Sequence, residues 1–139
     1  MGRLLRSFFH PVSAFIEHNQ ADPALSACVF PLAKAFMKLQ QSTAVIAQKG
    51  MKNPLEAGAA ASDYLRQFAL VAMGYMWAQM AKTALEKLAD DSISNKDFYE
   101  NKIKTAHFFF AKMLPDSDAR FKTILAGAET LMAMDAEAF

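Results

Sequence analysis

The sequence predicts an all-α protein, an elongated antiparallel up-down bundle of four to five helices built on one very long central helix. Three observations predict it. There is no sustained alternation with a period of two, and β-branched residues are scarce, so strand signals are missing. Apolar residues recur instead at three- and four-residue intervals in one segment after another. Finally, residues 54–90 keep helical spacing without a break, roughly 55 Å of helix at about 1.5 Å per residue. A compact globule of this chain length has a radius of gyration near 14 Å, roughly, so a helix of that length forces an elongated shape.

The first helix is expected over Leu4–His18, with Leu5, Phe8, Phe9, Val12 and Ile16 on one side and Pro11 set to kink or split it. The turn Asn19–Pro23 then offers Asp22 as N-cap and Pro23 at the first helical position. A second helix follows to about Lys49 and stops at Gly50, with Pro31 a kink or offset in its early turns. Asn53-Pro54 repeats the cap-then-proline device and opens the central helix. After the linker Asp91–Asn95, Ser94 with Asp97 resembles a capping box. A fourth helix is predicted over Lys96–Leu114, with Tyr99, Ile103, Ala106, Phe110 and Met113 inward. Pro115-Asp116 breaks it, and a fifth helix over Ser117–Met134 is expected to bury Phe121, Ile124, Leu125, Ala128 and Leu131. No repeat, low-complexity tract or second domain is visible, so residues 1–139 read as a single helical-bundle domain.

The central helix is the most informative segment. Ala57, Ala61, Tyr64, Phe68, Val71, Tyr75 and Ala78 are spaced 4-3-4-3-4-3, one seam against a neighbouring helix. The opposite face begins polar with Asp63, Arg66 and Gln67, then turns apolar where charges belong: Leu70, Met73, Gly74, Trp77 and Met80. A helix apolar all round is normally buried all round. Those five residues are therefore the candidate docking face for a partner. Gly58 and Gly74 sit inside this helix, each at a cost of about 1 kcal/mol against alanine, which points to close approach of a neighbouring backbone.

Composition excludes several functions. Fifteen basic and fourteen acidic residues leave a net charge of +1, which argues against a nucleic-acid or acidic-membrane surface. Lys96, Lys102, Lys104 and Lys112 among the aromatics of the fourth helix read as a core with a charged rim. The hydrophobic share of 53%, with nine Met and twelve Phe, fits either a Phe-rich core or surface hidden against a partner. Cys28 stands alone in an apolar run, as a small core residue and not a reactive thiol. The acid-free residues 1–16 lack an apolar signal core and cleavage site, and Arg6 spoils the myristoylation pattern after Met1-Gly2. The longest nearly apolar run, Phe68–Met80, is too short for a transmembrane span, and a cytoplasmic location is expected.

Catalytic chemistry is hard to assemble. His10, His18 and His107 have no second histidine or carboxylate at metal-ligand spacing, so the Glu-x-x-His pairs of a di-iron bundle are missing. A haem role for His107 fits poorly with the three aromatics that follow it. The five glycines are isolated, with no phosphate-cradling loop. The charges Lys82, Glu86, Lys87 and Asp90 form a solvated face of i,i+4 neighbours. No catalytic, cofactor-binding or metal-ligating residue is assigned.

One resemblance runs through nearly the whole chain and is weakest over residues 1–50. Ala61-Ser62-Asp63-Tyr64-Leu65-x-x-Phe68, followed by Gly74-Tyr75-Met76-Trp77-Ala78-x-Met80-Ala81, resembles the C-terminal extension of acyl-CoA dehydrogenases. The branch is the one that includes 3-methylmercaptopropionyl-CoA dehydrogenase. Phe98-Tyr99-x-x-Lys102, Ala106-x-Phe108-Phe109, Leu114-Pro115, Gly127-Ala128 and a terminal Phe139 continue the match in order. Ala69 stands where the family tends to have Gly, and Phe108-Phe109 where it has Phe-Tyr; both changes conserve a packing role. The resemblance implies a non-catalytic accessory domain of an FAD-dependent enzyme that oxidises the α,β carbons of an acyl thioester. It places the catalytic glutamate, the FAD and the CoA contacts in an upstream core, so no family catalytic residue carries over. The expected partner is that acyl-CoA dehydrogenase core or a second copy of the chain, in a homo-oligomer. The chain is then either an excised domain or a stand-alone remnant. The alternative is a self-standing helical interaction protein that binds a partner or lipid surface through the same apolar face.

Overall fold

Two side-chain caps, Asp22 and Asn53, each followed by proline, set the frame. The Ala24 N–H donates to Asp22 Oδ1 at 2.9 Å and the Leu55 N–H to Asn53 Oδ1 at 3.1 Å. In both cases the next residue is a proline whose fixed φ suits a first helical turn. The computed structural model describes residues 2–138, and these form helices and turns with no strand among them. Helix α1 spans Arg3–Asn19, α2 Ser26–Lys52, α3 Pro54–Leu88, α4 Lys96–Phe108 and α5 Asp116–Ala126. A 3₁₀ turn at Pro23–Leu25 leads into α2, and a π-helical turn at Phe109–Met113 follows α4. Met1 and the terminal Phe139 of the resemblance lie outside the described residues.

Contacts fix how the helices run. Gly50 faces Ala57, the Thr43 and Tyr64 hydroxyls bond at 2.7 Å, and Leu32 lies against Gly74. Numbers fall on α2 as they rise on α3, so the two form an antiparallel hairpin about Asn53. The Phe8 and Phe68 rings are 4.8 Å apart and the Phe15 and Tyr75 rings 5.6 Å, which makes α1 parallel to α3. From Lys96 onward the chain retraces α3: Lys102 lies over Trp77, Phe109 against Gly74, Asp116 on Arg66 and Arg120 on Asp63. The core, with Val12, Val29, Leu32, Leu39, Val71 and Phe109 at its centre, is enclosed between these partners.

Several expectations are corrected. Pro11 does not split its helix: α1 runs through it, as α2 runs through Pro31. Helix α2 does not stop at Gly50 but continues to Lys52, where Asn53 turns extended. Gly50 serves the hairpin instead, since a Cβ there would lie 3.3 Å from that of Ala57. The Ser94–Asp97 capping box does not form: Asn95 precedes α4 and no side chain caps it. The polar work in that linker falls to Asp90, whose Oδ1 accepts from the Ser92 hydroxyl at 2.7 Å and its N–H at 3.0 Å. Those two bonds hold the Asp90 carboxyl below the usual range.

The fifth helix ends at Ala126, not at Met134. Gly127 follows with φ 76°, a conformation that glycine adopts without strain, and the chain turns away. Leu125 and Leu131, expected inside, are exposed, while Ile124 and Ala128 are buried. Glu56 secures the turn by accepting the Ala128 N–H at 3.3 Å.

The π-helical turn explains a second discrepancy, Met113 being exposed where it was expected inward. Leu114 donates its N–H to the Phe109 carbonyl at 2.9 Å, a five-residue step that widens the turn. That extra residue lets the neighbours Phe109 and Phe110, and then Leu114, all reach the core. Gly74 makes the room: a Cβ there would meet Leu32 Cδ1 at 3.4 Å and Phe109 Cε1 at 3.5 Å.

Candidate docking surface

Helix α3 is apolar around its circumference but is not buried all round. Its buried line is Ala60, Gln67, Leu70, Val71, Gly74, Ala78, Ala81 and Ala84. The predicted seam is only partly inside: Val71 and Ala78 are buried, Ala61 is exposed, Phe68 and Tyr75 are half-buried against α1, and Tyr64 is half-buried and bonded to Thr43 of α2. Gln67, read as part of a polar outer face, is fully buried. The physical cause is the returning chain. Helix α5 lies along the N-terminal half of α3 and α4 along the C-terminal half, so the helix is rotated toward them.

That rotation divides the five candidate docking residues. Leu70 and Gly74 belong to the core, Trp77 is half-buried under Lys102, and Met73 and Met80 are exposed. The outward row is Leu65, Ala69, Met73, Met76 and Met80, every one of them exposed. Leu65 is 72% and Met76 50% exposed, and both were missed. Their 4-4-3-4 spacing is in the sequence, but a helix apolar on every side offers several such lines and periodicity cannot rank them. Phe98 of α4 adds to this surface and lines a groove with Met76 and Met80. Contiguous exposed apolar side chains of this kind mark interaction sites more often than isolated ones do.

A partly exposed polar lattice joins α3 to α5. Arg66 Nε donates to Asp116 Oδ2 at 2.7 Å, while Arg120 reaches Asp116 at 3.2 Å and Asp63 at 3.1 Å. Hydrogen bonds from Arg66 and then Arg120 hold the Asp116 carboxyl below the ordinary aspartate range. Lys38 adds a 2.7 Å bond from α2 to Asp118. Ser42 Oγ, both amide atoms of Gln67 and Arg120 Nε are buried, none with a hydrogen-bond partner.

The reactive-group inventory offers no catalytic arrangement. Cys28 is fully buried and its thiol is pushed up to about 11 by that burial, so it carries little thiolate. His10 and His107 are exposed, and His18 faces the Ala14 carbonyl one turn back. No cluster of three potential metal ligands occurs among the described residues. No helix there is long and apolar enough to cross a membrane.

Residues 8–135 match the family model described as acetyl-CoA dehydrogenase C-terminal like. The chain belongs to this family. The match covers α1 through the segment after α5, and so includes the residues 1–50 in large part, where the sequence resemblance is weakest. A search of curated proteins finds no match. The outward α3 row of this acetyl-CoA dehydrogenase C-terminal-like chain lies inside the matched residues.

Proposed function

We propose that the chain is a non-catalytic accessory domain, a single unit over residues 1–139, that packs against the core of an FAD-dependent acyl-CoA dehydrogenase. The observation that carries this reading is the unpartnered row Leu65, Ala69, Met73, Met76 and Met80 on a chain of that family. The helix pairings support an elongated antiparallel up-down arrangement, with α3 long enough to present the row as one continuous strip. The ordered aromatic and small residues from Ala61 to Ala81 favour the branch that includes 3-methylmercaptopropionyl-CoA dehydrogenase. A parent enzyme of that kind would take a proton with a core carboxylate and pass a hydride to its flavin. The residues of this chain do not fit a flavin. Its groove between α3 and α4 holds about 400 Å³, near the small end of ligand sites, and its glycines stand singly.

The test is a titration of the purified chain with a dehydrogenase core of that branch, followed by light scattering. A complex of defined stoichiometry is expected, and Met73→Glu with Met76→Glu should abolish it. Association of the chain with itself alone, lost in the same double variant, would instead assign the row to a second copy. Stoichiometric FAD on the purified chain would overturn the accessory reading.

A further inference from the structure

We propose that the groove between α3 and α4 binds a single-chain anionic amphiphile, an aliphatic carboxylate, with Lys102 as the headgroup ligand. The groove holds about 400 Å³, within the roughly 300–1,000 Å³ of small-molecule sites. Met76, Met80 and Ala84 of α3 form one wall, and Phe98, Tyr99 and Lys102 of α4 form the other. Gln79 and Thr83 also line it, so a mostly apolar surface carries two small polar groups and one cation. Lys102 Nζ lies 5.2 Å from the centre of the Phe98 ring and 5.9 Å from that of Trp77. Lys102 is the one charged residue that lines this groove, and it has no carboxylate partner among the described residues. Ring faces hold an ammonium more weakly than a carboxylate does. An incoming anion therefore gains a charge-assisted bond without displacing one.

Length decides the class of occupant. From Met76 to Ala84 the groove follows α3 for about 12 Å at 1.5 Å per residue. A stable protein interface needs roughly 800 Å² on each side, more than so short a groove offers, while one aliphatic chain fills it. Methionine walls suit that chain because their thioethers repack around a flexible guest. The inference needs only the α3 and α4 walls of this chain, but it shares Met76 and Met80 with the outward row, so a docked core and a bound amphiphile exclude each other there.

Trp77 is the single tryptophan of the sequence and lies under Lys102, so its emission reports the site. The chain is titrated with decanoate below its micelle threshold, with decanol and decyltrimethylammonium as neutral and cationic controls. Decanoate is expected to change the emission saturably, and both controls to bind at least about tenfold more weakly. Lys102→Gln should weaken decanoate about tenfold and leave decanol unchanged, while Lys102→Arg retains binding. Calorimetry reads the same variants without relying on the indole, and Met80→Glu should abolish decanoate binding. Equal binding of all three probes, an unaffected Lys102→Gln variant, or no saturable signal by either method overturns the proposal.

Discussion

The two halves of α3 are held by different chemistry. Along the N-terminal half, Asp63 and Arg66 engage Arg120 and Asp116 of α5, and Glu56 receives the Ala128 N–H. Along the C-terminal half, no ion pair crosses to α4 among the described residues; Lys82–Glu86 and Glu100–Lys104 stay within their own helices. Contact there is Gly74 against Phe109 and Phe110, and Trp77 beneath Lys102. Directional bonds select one rotation and one register, whereas apolar packing tolerates several. The polar half thus orients a helix whose apolar pattern does not orient itself. The other half, freed from that task, can leave methionines outside.

The largest expected effect breaks the apolar half. Phe109 is buried at the π-helical turn, so Phe109→Ala should cost about 3–5 kcal/mol, the usual range for removing a buried aromatic ring. Urea unfolding measures it. A loss below about 1 kcal/mol would mean the turn is not a packing device and that α4 is held elsewhere.

The next effect runs in the opposite direction and sharpens the contrast. Gln67 is fully buried in the polar half with neither amide atom bonded. An orphaned buried polar group costs about 1–3 kcal/mol, and an apolar residue of similar shape relieves that cost. Gln67→Met should therefore stabilise the chain by up to about 2 kcal/mol. A clear destabilisation would show that Gln67 is bonded after all, through ordered water shared with Ser42 or Arg120.

How much of this was legible in the sequence follows from the range of each interaction. Asp22-Pro23 and Asn53-Pro54 act over two residues, and both caps are present where their chemistry placed them. The all-helical class was legible for the same reason, and the family resemblance from ordered aromatics agrees with the family match. The end of α5 was misread although Gly127 marked it, because Leu131 continued the apolar spacing past the glycine. The rotation of α3 was not legible. It depends on Asp116 and Arg120, some fifty residues away, and the sequence near Gln67 carries no sign of its burial. An error of one position in that rotation moved Leu70 and Gly74 from the proposed surface into the core and hid Leu65 and Met76.

A smaller effect separates the halves by pH. Asp116 titrates below the ordinary aspartate value near 4, roughly, because Arg66 and Arg120 bond its charged form. The unfolded chain then binds more protons than the folded one in the acid range, so stability rises with pH there. The contribution is complete above the unfolded value and is lost as pH falls through the lowered one. With both partners partly exposed, its size should stay within about 1 kcal/mol. Asp116→Asn should flatten this part of the acid limb of a stability profile, and Phe109→Ala should leave its slope unchanged. An unaltered slope in Asp116→Asn would remove the lattice as the orienting element.

The smallest stability effect is the most telling for the outward row. Met76 is half exposed and touches no polar network, so Met76→Gln should change unfolding free energy by no more than about 0.5 kcal/mol. The same substitution removes apolar surface from the centre of the row Leu65–Met80, where a partner would desolvate it. If Met76 served the fold, stability and partner binding would fall together. If it serves an interface, binding falls alone, and the excess methionine on α3 is surface kept for contact. A stability loss above about 1 kcal/mol in Met76→Gln would return the residue to the core and take it out of the outward row.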